Sequence, residues 1–471
     1  MRKINIYLSA LIIFVGLMVS PRDVYSQIKI AKNSETARGE DSPFGIFDPY
    51  EVFLDRPTFI TRFGINEYLR DLGVRWVQAM PREDIGELDT LIDLGFNVYS
   101  RAVSIRNSKS CSQRINDTYK ENLKYLIRKY KDKIKYWEAD TEPEGNSPYA
   151  IATGETWGGC PEEYAKFLKV TYEIIKDNCN DCKVVFGGLG GPEVGLTTES
   201  HQVKFLDSVL KATGGKYFDA FEFKQHYHKA NEYTELRNKM EVYGKTLSNY
   251  GIDIYKIPVF IETAMYDGKP VTLNDPPLPY QSELQEAAGL IKTYVFGTAQ
   301  GIDKIFWNNV VERGPDQMNK QEIFNCYGFV NNPDNDGQSH KKLSYYAYKK
   351  MVEALEGSDW NNIQTIQGKD GICIYKFIKQ GKPIWVAWND NPQESQITIS
   401  DITSNQVNPS TTLRIDGERS RTIKITEAIP KYASGKEVMG YGIAFKIQTK
   451  TVKDAQATIT LNDIPVFVEE E

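Results

Sequence analysis

The sequence predicts a (β/α)8 barrel followed by a C-terminal β-sandwich. Three observations lead there. Between residues 43 and 355, short β-branched or aromatic runs alternate with longer segments of helical periodicity. After Trp360 that periodicity stops, and short strands separated by turn residues take over. The chain has 471 residues, enough for a barrel of roughly 250–330 residues and a smaller module.

The first strand is Phe44-Gly45-Ile46-Phe47, and its helix carries Ile65, Tyr68, Leu69 and Leu72 at helical spacing. Gly73 stops that helix ahead of strand two, Val74 to Gln78. A helix around Ile85, Leu88, Leu91 and Ile92 ends at Gly95, and Phe96 to Arg101 is strand three. Tyr119, Leu123, Leu126, Ile127 and Tyr130 share the next helical face and lead to strand four, Ile134 to Glu138. Further helices are expected at Tyr164–Asn178, His201–Ala212, Asn231–Tyr250, Gln281–Ala299 and Ser344–Leu355. Between them fall strands at Val184–Gly188, Phe218–Gln225, Ile257–Glu262 and Lys304–Asn308. The alternative, a doubly wound open sheet, is disfavoured. Gly187-Gly188-Leu189-Gly190-Gly191 follows a strand but does not open a helix in dinucleotide-binding register.

The sandwich is read from Ile372–Phe377, Pro383–Trp388, Ser395–Ile399 and Thr458–Leu461. With no Pro- or Ser-rich spacer after Leu355, it is expected to pack on the barrel. The resulting division is an export signal at 1–26, an N-terminal segment at 27–42, the barrel at 43–358 and the sandwich at 359–471. Arg2 and Lys3, the apolar stretch Ile4–Val19 and the small residues before Gln27 carry the export reading. A secreted or periplasmic location follows, with no membrane-spanning segment once the signal is removed.

A net charge of −6 and the lack of a Lys/Arg block argue against a nucleic-acid partner. Among six cysteines, Cys111 and Cys160 fall in loops that the barrel makes neighbours and are the first candidate pair. Cys179 and Cys182 read as a local disulfide or two free thiols, because nothing completes a zinc site. Only His201, His226, His228 and His340 are present, so no metal or other cofactor is expected. The sequence leaves the oligomeric state open.

Function in such a barrel gathers at the C-terminal strand ends. Strand four runs into Trp137-Glu138-Ala139-Asp140-Thr141-Glu142-Pro143, and strand seven into Phe260-Ile261-Glu262-Thr263. Strand six ends in His226-Tyr227-His228 and strand eight in Phe306-Trp307-Asn308-Asn309. Two carboxylates thus face each other across the mouth, the arrangement that glycosidic bond cleavage needs. One protonates the leaving oxygen while the other attacks the anomeric carbon, with about 5–5.5 Å between them if configuration is retained. Glu138, Asp140 and Glu144 are read as supporting or solvated carboxylates.

At these strand ends the chain resembles the clan A glycoside hydrolases, whose strand-four motif is W-E-x-x-N-E-P. Leu343-Ser344-Tyr345-Tyr346-Ala347-Tyr348 and Pro465-Val466-Phe467-Val468-Glu469 resemble the last helix and last strand of the β-xylosidase and α-L-iduronidase branch. The resemblance implies that Glu142 is the acid/base and Glu262 the nucleophile. It also implies that Tyr227 hydrogen-bonds the nucleophile and that His226 or His228 contacts substrate. Trp307 would floor the sugar subsite, with Asn308 beside it. Two residues depart from the family. Thr141 stands where an Asn holds the sugar 2-hydroxyl, and Gln78 where strand two usually ends in Arg. Arg101, ending strand three, is the candidate to supply the charge Gln78 lacks.

The expected function is retaining hydrolysis of O-glycosidic bonds in a poly- or oligosaccharide. The alternative is a catalytically inert barrel that keeps a carbohydrate-binding cleft. An aldolase or metal-dependent barrel is disfavoured, since no strand end is read as offering a Schiff-base lysine or a His/Asp cluster.

Overall fold

β1 (Phe44–Phe47), β2 (Trp76–Ala79), β3 (Asn97–Arg101), β4 (Tyr136–Glu138), β5 (Lys183–Leu189), β6 (Ala220–Tyr227), β7 (Val259–Met265) and β8 (Lys304–Trp307) close into a barrel in chain order. All neighbours are parallel, and β8 returns to β1 with Gly45 opposite Phe306. This computed structural model describes residues 41–50, 64–82, 86–102, 110–145, 156–192, 194–268, 278–313, 323–333, 339–391, 395–399, 413–414, 422–452 and 456–471. The expected export signal and most of the segment up to residue 42 lie outside the described residues.

Among the described residues, eight helices interleave with the strands: α1 (Ile65–Leu72), α2 (Glu87–Asp93), α3 (Asp117–Tyr130), α4 (Pro161–Asn178), α5 (His201–Thr213), α6 (Glu235–Ser248), α7 (Glu283–Ala299) and α8 (Leu343–Leu355). Local sequence sets their ends. Gly73 closes α1 in the left-handed conformation at φ 73°, returning its N–H to Leu69 and Arg70. Asn116 accepts from the Tyr119 N–H at the start of α3, and Ser282 with Gln285 forms a capping box on α7. The polar stretch expected as one helix from Asn231 begins as a short 3-10 turn, Glu232–Thr234, before α6.

The C-terminal part is a sandwich. β9 (Gln364–Lys369), β10 (Ile372–Lys379), β11 (Lys382–Asn389), β14 (Thr422–Glu427), β15 (Ile447–Thr451) and β17 (Val466–Glu470) form one antiparallel sheet, ordered β15-β14-β17-β11-β10-β9. β12 (Ser395–Ile399), β13 (Leu413–Arg414) and β16 (Gln456–Leu461) form the second. Ala457, Ile459 and Leu461 of the small sheet share a core with Ile374, Trp385, Ile423 and Val468 of the large one. Two-residue hairpins join β9 to β10 and β10 to β11. Their central residues, Asp370-Gly371 and Gln380-Gly381, all have positive φ, as such tight turns require.

The sandwich packs on the barrel through apolar and polar contacts. Trp360, Tyr375, Phe377 and Trp388 belong to the same continuous core as the barrel helices. Asp390 accepts from Tyr233 Oη at 2.5 Å and pairs with Lys292 of α7 at 2.7 Å. Both expected cysteine pairs are bonded, Cys111 with Cys160 and Cys179 with Cys182.

Candidate active site

Strand parity sorts the barrel lumen into two levels. Deep in the lumen, Trp76, Tyr99, Tyr136, Phe260 and Phe306 form an aromatic floor with Phe47, Val185 and Ala220. Tyr99 meets Phe260 edge-on at 5.3 Å, and Tyr136 does the same at 5.1 Å. Two residues further along the same strands, or four for Lys224, the inward positions become polar or charged: Gln78, Arg101, Glu138, Glu222, Lys224, Glu262 and Asn308. Burying so many ionisable groups costs free energy unless each finds a partner, so the pairing between them defines the site.

Glu262 is buried at the lumen wall. It pairs with Lys224 Nζ at 2.5 Å, its register neighbour on β6, and accepts from Asn308 Nδ2 at 3.0 Å. His226 Nε2 approaches to 3.7 Å the same oxygen, Oε1, that accepts from Asn308, while Lys224 holds Oε2. Burial alone would raise its pKa, but Lys224, with help from His226, holds it well below the usual carboxylate range. It is therefore an ionised, fixed carboxylate.

Glu142 sits higher, just past β4, with its side chain 48% exposed to the mouth. Its φ of 44° is left-handed, an uncommon conformation for a non-glycine residue. The loop is stitched down around it. Its N–H donates to Gly188 O of β5, and Asp140 accepts from Trp157 Nε1 at 2.8 Å. A Cβ on Gly187 would overlap the Asp140 carbonyl, so only glycine lets this loop lie against β5.

Lys224 also reaches Glu142 Oε1, at 3.3 Å. The nearest oxygens of Glu142 and Glu262 thus stand no further apart than the sum of 3.3 and 2.5 Å, about 6 Å, close to the separation that a retaining pair needs. Lys224 also holds the Glu142 pKa below its ordinary value. Glu144, two residues on, behaves oppositely. Burial, and then the charge of Glu142, push its pKa up to about 7.

The remaining expected residues separate into three groups. Gln78 and Arg101 are both inward, but both serve Glu138, donating to its Oε2 at 3.1 and 2.8 Å. Arg101 does supply a cation, and that cation is spent on Glu138. Thr141 is buried with no hydrogen-bond partner for Oγ1, and Asn308 holds Glu262 while its Oδ1 has none. His226 lies beside Glu262 with its ring 5.5 Å from Tyr327. His228 lies past the end of β6, ring against Tyr266 at 6.4 Å, with its N–H donating to Glu232.

Two expectations need correction. Tyr227 pairs with Met265 in register and sits in the apolar layer between sheet and helices, on the opposite strand face from Lys224 and His226. The expected contact to the nucleophile comes instead from Lys224 and Asn308. Trp307 likewise faces the helix layer, opposite Thr263 and Ile46, fully buried and stacked on Phe329 at 6.0 Å. Period-2 alternation gives the reason: with Phe306 and Asn308 turned inward, the residue between them turns out.

The sequence reading missed Lys224 and Glu222, and took Glu144 for a supporting or solvated carboxylate. A signal for the first two was present, because Glu222, Lys224 and His226 recur at period 2, interleaved with Phe221, Phe223 and Tyr227. A strand otherwise built for burial that carries charge on one face marks that face as a lumen lining. Lys224 also qualifies the earlier statement that no strand end offers a lysine. Its ammonium is nevertheless unsuited to Schiff-base chemistry. Burial would lower its pKa, but Glu142 and Glu262 raise it.

No protein-family model and no curated protein sequence matches the chain. Solved structures do. A monomeric β-xylosidase from Caulobacter crescentus CB15 aligns with TM-score 0.56 and 12% identity, over 91% of this chain and 96% of that one. The chain shares that structure's fold, a closed (β/α)8 barrel with a β-sandwich. An arabinofuranosidase aligns with TM-score 0.55 and 12% identity over 92% and 97% of the two chains. A glucosidase from Croceicoccus marinus does so with TM-score 0.54 and 10% identity over 86% and 91%. The shared architecture, barrel and sandwich together, therefore extends over most of the chain.

Proposed function

We propose that this protein is an exported retaining O-glycoside hydrolase acting on a poly- or oligosaccharide, with Glu262 as nucleophile and Glu142 as acid/base. The observation that carries the reading is the Lys224 bridge. It caps the distance between their nearest oxygens at about 6 Å, which favours the roughly 5–5.5 Å spacing of a retaining pair over the roughly 6.5–9.5 Å of an inverting one. Glu262, ionised and oriented by Asn308, is suited to attack an anomeric carbon; Glu142, exposed at the mouth, is suited to reach a leaving oxygen. Around them Thr141, Asn308 and Asn309 keep buried polar atoms without partners, which suits a ligand rich in hydroxyl groups. Two disulfides fit an oxidising, extracytoplasmic setting. The relatives by fold include a xylosidase, an arabinofuranosidase and a glucosidase, all acting on glycosides by their names.

The test is trapping with 2-fluoro aryl glycosides followed by peptide mass spectrometry. The reading expects one glycosyl adduct on Glu262. Turnover of aryl glycosides without any adduct would point to inversion and overturn the retaining assignment.

A second reading has a specific observation behind it. Lys224 holds Glu142 ionised, and an ionised carboxylate has no proton to give a leaving group. An inert carbohydrate-binding barrel would look the same at this residue. A broad screen of glycosides with no cleavage, together with measurable oligosaccharide binding, would establish that reading.

A further inference from the structure

Glu144 is buried at 3% exposure, and one face of it is used. Its Oε1 accepts the Gly190 N–H at 2.6 Å, while its Oε2 is enclosed and has no hydrogen-bond partner. Its backbone carbonyl is fixed by His201 Nε2 at 2.6 Å. Gly190 has no side chain to separate it from Glu142. A Cβ there would lie 3.0 Å from Glu144 Oε1 and 3.7 Å from Glu142 Oε1. These two oxygens therefore lie no more than 3.0 plus 3.7 Å apart, with no Gly190 side chain between them. The ionisable groups around Glu144 are Glu142 on its own loop, Lys224 from β6, Tyr164 from α4 and the His201 ring from α5.

We propose that Glu144 is the proton reserve of the acid/base site, passing to Glu142 the proton that Glu142 delivers to the leaving oxygen. This rests on the glycosidase reading and removes its weakest point. In the first step the O–H bond of Glu144 breaks and one forms on Glu142, directly or through one water; Glu142 then gives that proton to the departing alcohol. In the second step, water attacking the glycosyl-enzyme loses a proton to Glu142, which returns it to Glu144, so no proton is gained or lost over the cycle. Lys224 keeps Glu142 ionised, and burial beside that charge keeps Glu144 protonated up to about pH 7. Two carboxyls whose environments push their pKa values apart are the usual mark of such a division of labour. Glu144 acts through Glu142 and is a positioning residue.

The experiment uses Glu144→Gln, which keeps an acceptor for Gly190 but cannot carry an exchangeable acidic proton. Glu144→Asp is the companion, able to carry one. On aryl glycosides with poor leaving groups, Glu144→Gln should lose about 10–100-fold in kcat/KM and its basic limb near pH 7, with KM little changed. Dinitrophenyl glycosides, which need no proton, should react in the first step within about threefold of wild type, and Glu144→Asp should restore the basic limb. An unchanged limb in a folded Glu144→Gln protein would overturn the proposal. pH-difference infrared spectroscopy supplies a readout independent of turnover. A protonated-carboxyl band titrating near pH 7 should be present in the wild type and absent from Glu144→Gln. If the wild type cleaves nothing, the hydrolase reading fails, and the proton-reserve role falls with it even where the band is present. If it cleaves and the band is absent, Glu144 alone is refuted.

Discussion

The floor and the mouth of the barrel are built from the same strands, yet two residues separate pure packing from chemistry. On β7 Phe260 belongs to the aromatic floor and Glu262 to the charged layer; on β3 Tyr99 precedes Arg101; on β4 Tyr136 precedes Glu138. The floor is held by area and shape, with the Tyr99 hydroxyl, which donates to Glu222 above it, as its link to the charged layer. The mouth is held by a ledger of charge in which Lys224 serves two carboxylates and Glu138 takes up both Gln78 and Arg101. A rigid apolar base lets the upper layer keep costly ionised groups within a fraction of an ångström of their working positions.

Five substitutions would break or sharpen this contrast. The largest effect is expected at Glu262. Glu262→Ala should lower turnover on every substrate by on the order of 10⁴-fold or more. Glu142→Ala should spare substrates with good leaving groups in the first step, and added azide should give a glycosyl azide of retained configuration. Equal losses for both variants on all substrates would erase the distinction between the two carboxylates.

Next comes Lys224→Met, which leaves two carboxylates without their shared cation. Breaking a buried pair of this kind costs about 3–5 kcal/mol at neutral pH, readable by denaturant unfolding. The pH dependence has a definite sign. Glu262 is depressed in the folded protein, so its stabilisation is present above the unfolded carboxylate pKa and is lost as pH falls through the folded value. Without Lys224 that loss begins at higher pH, and the acid limb of kcat/KM should move up with it.

Phe260→Ala tests the floor. It should cost about 3–5 kcal/mol through cavity formation while leaving the pH profile of the folded enzyme in place. A shifted profile would show that floor and mouth are coupled. The smallest effect belongs to Tyr99→Phe, which removes the donor to the buried Glu222 carboxyl. About 1–3 kcal/mol of stability should be lost, with leaving-group dependence unchanged.

The order of strands and helices was legible because period-2 and period-3.6 patterns survive without tertiary information. Glu142 and Glu262 were legible as a carboxylate pair because the first follows strand four and the second lies on strand seven. What escaped was facing. Strand six was read as ending at Gln225, whereas it continues to Tyr227, so His226 and Tyr227 fall on opposite faces of one strand. The same single-residue ambiguity misplaced Trp307. Gln78 and Arg101 were identified as polar strand ends, but their common acceptor, Glu138, depends on how β2, β3 and β4 stack in space. Lys224 was hidden differently. A lysine inside a strand reads as solvated until a neighbouring strand is known to set a glutamate opposite it.

The seam at Asp390 has a consequence for anyone who would shorten this protein. Lys292, its side chain only 3% exposed, has Asp390 as its ion-pair partner across the domain boundary. Trp388 Nε1 donates across the same boundary to Tyr233 Oη, just beyond β6. A gene truncated at residue 358 would strand an ammonium inside an apolar surface and uncover Phe296, against which Tyr233 and Tyr375 both pack. The sandwich is thus no detachable cassette. Engineers wanting a minimal catalyst should expect insoluble product from the barrel alone and should graft or recode the two parts together.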